Sequence, residues 1–402
     1  MAAGAGDGRL SAGGRRRPAF LTWALPAGGN DGGTARVVAI ASFVEDVLGG
    51  EVLDVAELAR GRRLGYVGGL VEALRRLSRS GCDTLVLAYP GFPGLGLYRT
   101  GGSLDRVLTL VAHAGALAIV GVLAAVSRRQ GRPLVVDIHD VPSLEHHLPD
   151  RRRVAPARLT AIYERVLLRA ALVVWVVTEQ EREALVGRYG GNAEAFVVVP
   201  NGSARLVQRP PRDRAAPVRI AYTGSLYRDR AVLEATIREL LESDTAKLEL
   251  VFAGPGGEWL ADTFPDERVR YAGWLGAREC EELLAGCDLG LLPYFGDEPY
   301  YRLVHPTKLS VYLACGLPIV SGDAAHVAAF VSRHGVGVAA DRRSYTAAVL
   351  HLAADDARRS AFAESARALA PAFLWDTLLA EAFEATSRVV AARRAEAPGP
   401  RA

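Results

Sequence analysis

Short apolar runs alternate with helical patterns along almost the whole chain, and this alternation constrains the fold more than any other feature. In the first half, strand patterns occupy residues 19–25, 51–55, 84–88, 134–138, 172–177 and 195–199. In the second half, they occupy residues 219–222, 248–253, 269–271, 289–292 and 317–320. Strands that alternate with helices form parallel sheets with helices on both faces. The sequence therefore predicts an α/β protein with doubly wound sheets.

Two domains are expected because 402 residues can form two separate cores. The turn at Pro200-Asn201-Gly202 and the proline- and arginine-rich stretch after it mark the junction. We predict a disordered N-terminus at residues 1–17, an N-terminal domain at 18–205 and a linker at 206–217. A C-terminal domain at 218–373, a final helix at 374–396 and a tail at 397–402 follow.

Composition limits the partners and the compartment. The net charge of +3 is too small to indicate a nucleic acid as the main partner. The four cysteines form no C-x-x-C pair, so we expect them to be small core residues in a reducing cytoplasm. The N-terminal residues lack the apolar region of a signal peptide. A cytoplasmic location is therefore expected.

Residues 107–126 form a stretch of 20 residues without an acidic or basic side chain other than His113. By length alone this stretch could span a bilayer. We expect a helix that is buried nearly all round against a sheet; contact with a membrane surface and a true span stay open. The arginine runs 15–17 and 151–153 would allow peripheral attachment to the inner face of the plasma membrane, or are simply solvated.

The segment 304–322 reads as a loop, a helix, a glycine stop and a short buried strand. Pro306 suits the first turn of a helix, where its missing N–H does no harm. Thr307 and Lys308 then lie where unpaired backbone N–H groups and the helix dipole attract an anion. This pattern indicates a diphosphate site; an ordinary helix–strand unit with a solvated lysine is the alternative.

The run from Pro306 to Pro318 resembles the donor-nucleotide region of GT-B glycosyltransferases. It is most similar to the family 4-like branch of bacterial glucosyl- and galactofuranosyltransferases, in which a Pro-x-Lys-Leu-Ser-x-Tyr-Leu motif is typical. The resemblance implies two Rossmann-like domains that face a cleft, with a C-terminal helix that crosses back to the first domain. It also implies that the first domain binds the acceptor and the second binds the donor through Thr307 and Lys308.

This sequence departs from family 4 at one motif. The two glutamates of the usual Glu-x7-Glu pattern, which contact the donor sugar and the ribose, are replaced by Leu303 and Val311. The identity of the donor sugar therefore does not follow from the resemblance. The polar and aromatic residues nearby that we expect to take over donor contacts are Tyr294, Asp297, Tyr300, Tyr301 and His305.

The N-terminal half contains a glycine-rich loop and a cluster of bases. The loop Gly29-Asn30-Asp31-Gly32-Gly33 precedes a helix predicted from Ala35, and by resemblance it faces the acceptor and the donor diphosphate. A flexible surface turn is the alternative. His139 and Asp140 follow the strand at 134–138. We expect Asp140 first, and His139 second, to remove the proton of the acceptor hydroxyl, unless Asp140 only caps the next turn.

Two loops of the C-terminal half are further candidates for donor binding. Gly224 and Ser225 would offer backbone N–H groups to a phosphate, and either Arg228 or Arg230 would neutralise the leaving diphosphate, unless these charges are simply exposed.

By resemblance, the nucleotide base lies between the strand ends at Gly254 and at Trp274-Leu275, whose peptide groups would bind the base edge. We expect the Trp274 side chain itself to belong to the core.

The resemblance implies the function of a metal-independent hexosyltransferase without a bound cofactor. Such an enzyme would move a sugar from a nucleotide sugar, with UDP as the first expectation by resemblance, to a saccharide, lipid-linked or protein-linked acceptor in glycan or cell-surface polysaccharide biosynthesis. The pair His146–His147 lacks the carboxylate spacing of a metal site. A UDP-sugar epimerase and a non-catalytic GT-B partner subunit are the alternatives. Whether the anomeric configuration is retained stays open.

Overall fold

A computed structural model describes residues 17–25, 32–62, 65–89, 103–139, 141, 143, 157–211, 215–227, 230–243 and 247–396. Within these ranges, twelve strands form two six-stranded parallel sheets. The strands of the first sheet are β1 Pro18–Thr22, β2 Glu51–Asp54, β3 Thr84–Tyr89, β4 Leu134–Ile138, β5 Val173–Val176 and β6 Phe196–Val198. The strands of the second are β7 Val218–Thr223, β8 Leu248–Ala253, β9 Val269–Tyr271, β10 Leu289–Leu292, β11 Ile319–Ser321 and β12 Gly337–Ala339.

Helices connect these strands and cover both faces of each sheet. In the first half they are α1 Gly32–Ser42, α2 Val55–Ala59, α3 Gly65–Arg79, α4 Ser103–Arg129, α5 Ala157–Ala170 and α6 Glu179–Tyr189. In the second half they are α7 Arg230–Glu242, α8 Trp259–Thr263, α9 Ala277–Ala285, α10 Thr307–Ala314, α11 Ala325–His334, α12 Tyr345–Ala354, α13 Asp356–Leu369 and α14 Trp375–Glu396. A π-helical turn at Phe43–Val47 extends α1, and short 3-10 turns lie at Ala193–Ala195, Pro299–Arg302 and Ala370–Phe373. The predicted α/β class is confirmed.

The strand orders locate the ligand-binding edges. The first sheet has the order β2-β1-β3-β4-β5-β6, and the second has the order β12-β11-β10-β7-β8-β9. In the second sheet the order in which successive strands are added reverses between β7 and β10, and in the first sheet it reverses between β1 and β3. Ligands of open parallel sheets bind at the carboxyl ends of the strands beside such a reversal. The two edges therefore carry the candidate sites.

One strand, β12, was missed by the sequence patterns. It has only three residues, Gly337-Val338-Ala339, and two glycines interrupt the apolar residues from 335 to 339. A Cβ atom on Gly337 would lie 1.9 Å from the carbonyl oxygen of Ile319. Glycine is therefore needed because the backbone of β12 approaches β11 so closely, and this need outweighs its low strand propensity.

The C-terminal helix α14 crosses back onto the first sheet, as expected. The indole Nε1 of Trp175, in the middle of β5, donates a hydrogen bond of 2.8 Å to Thr386 Oγ1. Phe383 packs edge-on against the same indole, with ring centroids 5.1 Å apart. The backbones of Ser203 and Trp375 are also hydrogen bonded, at 2.9 Å. The end of the chain thereby completes the core of the N-terminal half.

Helix α4 contains the uncharged stretch 107–126 and is buried on one face only. Ala116, Val120 and Leu123 are buried against the sheet, whereas Val122 on the other face is 44% exposed. Burial nearly all round, the expectation from the sequence, is therefore wrong for the part of α4 whose side chains are described, because only one face of this helix packs on the sheet. Among the helices of the described ranges, none is both long and apolar enough to cross a membrane.

Candidate functional site

Lys308 lies at the reversal point of the second sheet. Its Nζ is 4.1 Å from the centre of the Tyr222 ring, at the end of β7, and 5.3 Å from that of Tyr294, just after β10. An ammonium group over an aromatic face is held by the ring quadrupole. Pro306 is the N-cap of α10 rather than its first residue, so Thr307 begins the helix. The sequence-predicted cation is therefore placed at the carboxyl ends of β7 and β10.

The first turn of α10 provides a polar group beside this cation. The hydroxyl oxygen of Thr307 is buried and has no hydrogen-bond partner in the part of the chain that the structure describes. A buried polar group without a partner costs roughly 1–3 kcal/mol. Of the backbone N–H groups in this turn, that of Leu309 donates to Pro306 O at 2.9 Å. A bound anion would satisfy the Thr307 hydroxyl and would lie at the positive end of the helix dipole, so this helix start has the features of a phosphate site.

Two glycines allow the loops to approach Lys308. Gly224 has φ +126°, and a Cβ atom there would lie 2.8 Å from Lys308 Nζ. Gly254 has φ +132°, and its Cβ atom would lie 2.1 Å from the carbonyl oxygen of Gly224. The Gly224 N–H donates to Ala253 O at 3.0 Å, so the predicted role of this N–H as a phosphate donor is wrong. Gly224 contributes space instead, and Ser225, which follows it, is half-buried.

Two residues beneath this loop, Tyr312 and Cys280, were not among the site residues predicted from the sequence. The hydroxyl of Tyr312 accepts from the N–H of Thr223 at 3.3 Å and donates to Leu291 O at 3.2 Å, and burial raises the pKa of Tyr312. Burial also raises the pKa of the Cys280 thiol to about 11, although a hydrogen bond with Thr223 and the charge of Lys308 oppose this. Both groups therefore stay neutral and support the loop without ionising.

The strand ends expected around the nucleotide base differ in exposure. Gly254 O accepts a hydrogen bond of 2.8 Å from the hydroxyl of Tyr271. Leu275 is half-buried, but the Trp274 side chain is 64% exposed, so its expected place in the core is wrong. The reason is that Trp274 follows β9, the edge strand of the sheet, which pairs with β8 on one side only among the described strands.

The arginines proposed for the leaving group are not both placed. Arg228 lies outside the described residues. Arg230 begins α7, where its guanidinium lies 4.9 Å from the centre of the Trp259 ring and 3.7 Å from a carboxylate oxygen of Glu234. The described contacts of Arg230 thus tie it to its own helix and to α8.

Most candidates of the segment after β10 contact protein groups. Tyr294 stacks on Tyr301, with ring centroids 4.2 Å apart, and both carboxylate oxygens of Asp297 contact Arg342 at 2.9 and 3.0 Å. Tyr300 and Tyr301 are buried. Of this group, Tyr294 also contacts Lys308, so the structure keeps it in the candidate site.

His305 has a structural environment. Its Nδ1 is 3.0 Å from His326 Nε2, and its Nε2 is 3.1 Å from Ser310 Oγ. Burial lowers the pKa of His305 well below its ordinary value, and the nearby His326 and Arg36 act in the same direction. A neutral imidazole with both ring nitrogens in contact with protein groups is not available to a donor nucleotide. The predicted donor-binding role of this side chain is therefore not supported by the geometry.

The edge of the first sheet carries His139 next to a buried ion pair. β4 ends at Ile138, as expected, and His139 Nδ1 lies 3.3 Å from Asp137 Oδ2. Asp137 and Arg36 are both fully buried and their shortest contact is 2.6 Å. Burial alone would raise the pKa of Asp137, but the charge of Arg36 and the hydrogen bonds outweigh it, so this pKa is lowered. Asp137 is therefore ionised at neutral pH.

Other N-terminal candidates are only partly described. Gly29, Asn30, Asp31 and Asp140, and also the pair 146–147, lie outside the described residues. Residues 32–33 form the first turn of α1, which begins at Gly32 and not at Ala35 as predicted. Glycine is tolerated there because the first N–H groups of a helix need no partner within it.

A hydrogen-bonded network joins the two halves. Asn201 Nδ2 donates to His305 O at 2.8 Å, and Ser310 Oγ donates to Asn201 O at 2.6 Å. Arg36 Nη1 reaches Asn201 Oδ1 at 3.3 Å. The buried ion pair beside His139 is therefore connected to the helix that carries Lys308.

One signal could have revealed the ion pair from the sequence. Arg36 is a lone charge in the apolar stretch Ala35–Ala41, and Asp137 is a lone charge in the apolar strand β4. Two opposite charges, each isolated on a buried face, are expected to pair, since an unpaired buried charge is very costly.

Comparisons with known proteins agree with this architecture. Residues 9–202 match the family model "Glycosyl transferase 4-like domain", and residues 217–355 match "Glycosyl transferases group 1". Sucrose-phosphate synthase from Thermosynechococcus elongatus is 14% identical with a TM-score of 0.64, covering 94% of this chain and 100% of that one. Anabaena HepE in complex with UDP and glucose is 16% identical with a TM-score of 0.60, covering 93% and 100%.

A further structural neighbour is WaaG, a glycosyltransferase involved in lipopolysaccharide biosynthesis. It is 14% identical with a TM-score of 0.58, covering 91% of this chain and 98% of that one. No curated protein matches the chain in sequence. The fold is thus that of GT-B glycosyltransferases, and the chain carries a glycosyl transferase 4-like domain followed by a glycosyl transferases group 1 domain.

Proposed function

We propose that the protein is a hexosyltransferase that uses a nucleotide sugar, with UDP as the nucleotide. The observation that carries this proposal is the start of α10. There the Lys308 ammonium lies over two aromatic rings, next to the buried Thr307 hydroxyl without a partner. This arrangement suits the diphosphate of a donor. The choice of UDP rests on the neighbour HepE, whose complexes contain UDP, or UDP-glucose.

The acceptor in this proposal is a saccharide, free or linked to a lipid or a protein, in the synthesis of a glycan or a cell-surface polysaccharide. Its support is indirect, through the neighbour WaaG, which is involved in lipopolysaccharide biosynthesis. The acceptor would lie at the edge of the first sheet, near His139.

Transfer would proceed by departure of the diphosphate. The bond between the anomeric carbon and the β-phosphate oxygen breaks, and its electron pair stays on the oxygen. Lys308 and the N-terminus of α10 stabilise that charge. The acceptor oxygen forms the new bond to the anomeric carbon, and its proton passes to a base at the end of β4, either Asp140 or His139.

In this scheme the protein cation performs the charge neutralisation that a divalent metal performs in other transferases. We therefore expect transfer to persist in the presence of EDTA. A loss of activity with EDTA that added Mg²⁺ or Mn²⁺ restores would contradict this part of the proposal.

Thermal stabilisation by nucleotides tests the donor site directly. At about 100 times its dissociation constant, a ligand adds roughly 2.7 kcal/mol to the free energy of unfolding. We expect UDP to raise the Tm of the wild type, GDP, ADP and NAD to do so less, and Lys308→Ala to reduce the UDP effect strongly. Lys247 is the other lysine of the chain and is exposed, so Lys247→Ala is the matched control. No shift with any nucleotide would overturn the donor-site assignment.

A further inference from the structure

The ring of His139 has one side fixed by a buried carboxylate. Its Nδ1 lies 3.3 Å from Asp137 Oδ2, and the His139 side chain is only 6% exposed. Asp137 is fully buried against the equally buried guanidinium of Arg36. A carboxylate beside a permanently charged guanidinium is ionised and can only accept hydrogen bonds. In neutral His139, Nδ1 therefore carries the hydrogen and donates it to Asp137.

This arrangement leaves a lone pair on the other ring nitrogen. A neutral imidazole has one N–H and one acceptor nitrogen, so Nε2 of His139 is the acceptor. Within the described ranges no protein group forms a hydrogen bond with Nε2. His139 follows directly after β4, at the carboxyl edge of the sheet where ligands bind.

Arg36 holds the carboxylate of Asp137 in place, and this carboxylate in turn orients the ring of His139. Asp137 Oδ1 accepts from Arg36 Nε at 3.0 Å and from Nη2 at 2.6 Å. Asp137 Oδ2 faces both Arg36 Nε, at 3.1 Å, and the histidine. Arg36 Nη1 is itself tied to Val199 O at 2.8 Å and to Asn201 Oδ1 at 3.3 Å. The guanidinium therefore has little freedom to turn, and neither has the carboxylate.

We propose that Asp137 and Arg36 are positioning residues that hold His139 as the Nδ1–H tautomer, so that Nε2 accepts a hydrogen bond from a sugar hydroxyl. This inference rests on the proposed glycosyl transfer for the nature of the ligand. The tautomer itself can be measured without any substrate. Its test therefore has a readout that does not depend on activity.

Asp137→Asn is the informative variant because the amide has only one oxygen. The two strong donors of Arg36 face Oδ1, so the amide oxygen takes that side and the NH2 group faces His139. An NH2 group donates, and Nδ1 must then accept, which moves the hydrogen of His139 to Nε2. The hydrogen-bond acceptor for the substrate is thereby lost. We expect kcat/KM for glycosyl transfer to fall by up to about 10⁴-fold, the size of the effect seen for a wrong histidine tautomer elsewhere.

The ¹⁵N spectrum of histidine-labelled protein measures the tautomer, and His139→Gln identifies the resonances among eight histidines. We expect the Nδ1–H form in the wild type and the Nε2–H form in Asp137→Asn. Asp266→Asn, which changes a carboxylate paired with Arg268 in the other half, should leave the spectrum of His139 and the activity unchanged.

An Nε2–H form in the wild type, or the same tautomer in both proteins, would overturn the proposal. If Asp137→Asn does not fold, the wild-type spectrum still decides. If the tautomer changes as expected but UDP neither binds nor donates a sugar, the proposed function fails while the positioning role stands. If transfer occurs and Asp137→Asn keeps the wild-type kcat/KM, the positioning proposal fails alone.

Discussion

The two edges of the candidate site stabilise a charged side chain by different means. At the carboxyl ends of β7 and β10, the ammonium of Lys308 lies over the faces of Tyr222 and Tyr294. At the carboxyl end of β4, the charge of Asp137 is balanced by the guanidinium of Arg36, and neither group is exposed. The first arrangement holds a cation at the start of α10, where we propose that the donor diphosphate binds. In the second arrangement each charge neutralises the other, and the effect on His139 is to fix the orientation of its ring.

The difference indicates how much the stability of the fold depends on the charged group at each edge. An ammonium over aromatic rings gains roughly 0.5–2 kcal/mol from them, so it can be removed at small cost to the fold. A buried ion pair is strongly destabilised when one partner is lost, because the other charge stays uncompensated. We therefore expect substitutions at the second sheet to affect ligand binding first, and substitutions at the first sheet to affect stability first.

The largest expected effect on stability is that of Arg36→Met. This change leaves Asp137 buried without its partner and should lower the free energy of unfolding by about 3–5 kcal/mol in urea denaturation. The control is Arg278→Met, which removes a guanidinium that is 80% exposed and 3.0 Å from Glu282. Its effect should stay within about 1 kcal/mol. Equal losses of unfolding free energy in the two variants would contradict the expected cost of leaving Asp137 buried without its partner.

The glycines beside Lys308 give the next largest effect. Gly254→Ala places a Cβ atom 2.1 Å from the Gly224 carbonyl oxygen at φ +132°, so backbone strain and a clash add up. We expect a loss of about 1–3 kcal/mol in the free energy of unfolding and weaker stabilisation by UDP.

The matched control for this glycine is Gly121→Ala in α4. A Cβ atom there meets nothing within 4 Å. Alanine is favoured over glycine in a helix, so this variant should gain up to about 1 kcal/mol. A similar result for both alanine variants in thermal or urea unfolding would contradict the close approach of the two loops.

The sequence predicts the residues of a candidate site only where they lie close together along the chain. The helix start at Lys308 was predictable, because Pro306, Thr307 and Gly316 are all within one helix and its caps. The partnership of Arg36 with Asp137 joins residues that are 101 positions apart, and each alone reads as an odd charge in an apolar run. Local patterns cannot show which distant groups meet.

The misplaced Trp274 shows a second limit. This side chain was expected in the core, but burial depends on whether another element packs over the strand, and β9 is an edge strand. The strand alternation that predicts a sheet does not by itself give the order of its strands. The positions of Asp140, Arg228 and the loop from Gly29 to Asp31 remain predictions.

The histidine pair near the junction of the two halves should make stability depend on pH. Burial lowers the pKa of His326 to about 4, and the pKa of His305 lies well below its ordinary value. In the unfolded chain both would bind protons below about pH 6.5. The unfolded state therefore binds more protons between pH 6.5 and 4, and stability falls as pH falls through this window.

We expect His326→Gln to reduce this slope of the free energy of unfolding between pH 6.5 and 4, by about 2–3 kcal/mol over the window. His351→Gln, a change of an exposed histidine on α12, should leave the slope as it is in the wild type. Urea denaturation at several pH values measures it. An unchanged slope in His326→Gln would mean that this imidazole is charged in the folded protein.

The smallest effect on stability is expected for Trp274→Ala. Because this side chain is 64% exposed, its removal should change the free energy of unfolding by no more than about 0.5 kcal/mol. Trp175→Phe, by contrast, removes the buried indole N–H that binds Thr386 and should cost about 1–3 kcal/mol in the free energy of unfolding.

Tryptophan fluorescence distinguishes the exposed indole of Trp274 from the buried indole of Trp175 without a ligand, since an exposed indole emits at longer wavelength and is quenched by acrylamide. Loss of the quenchable component in Trp274→Ala alone would confirm the exposed position beside the expected base site. If UDP then protects this component in the wild type, the indole lies where the nucleotide binds, and the edge of β9 joins Lys308 in the donor site.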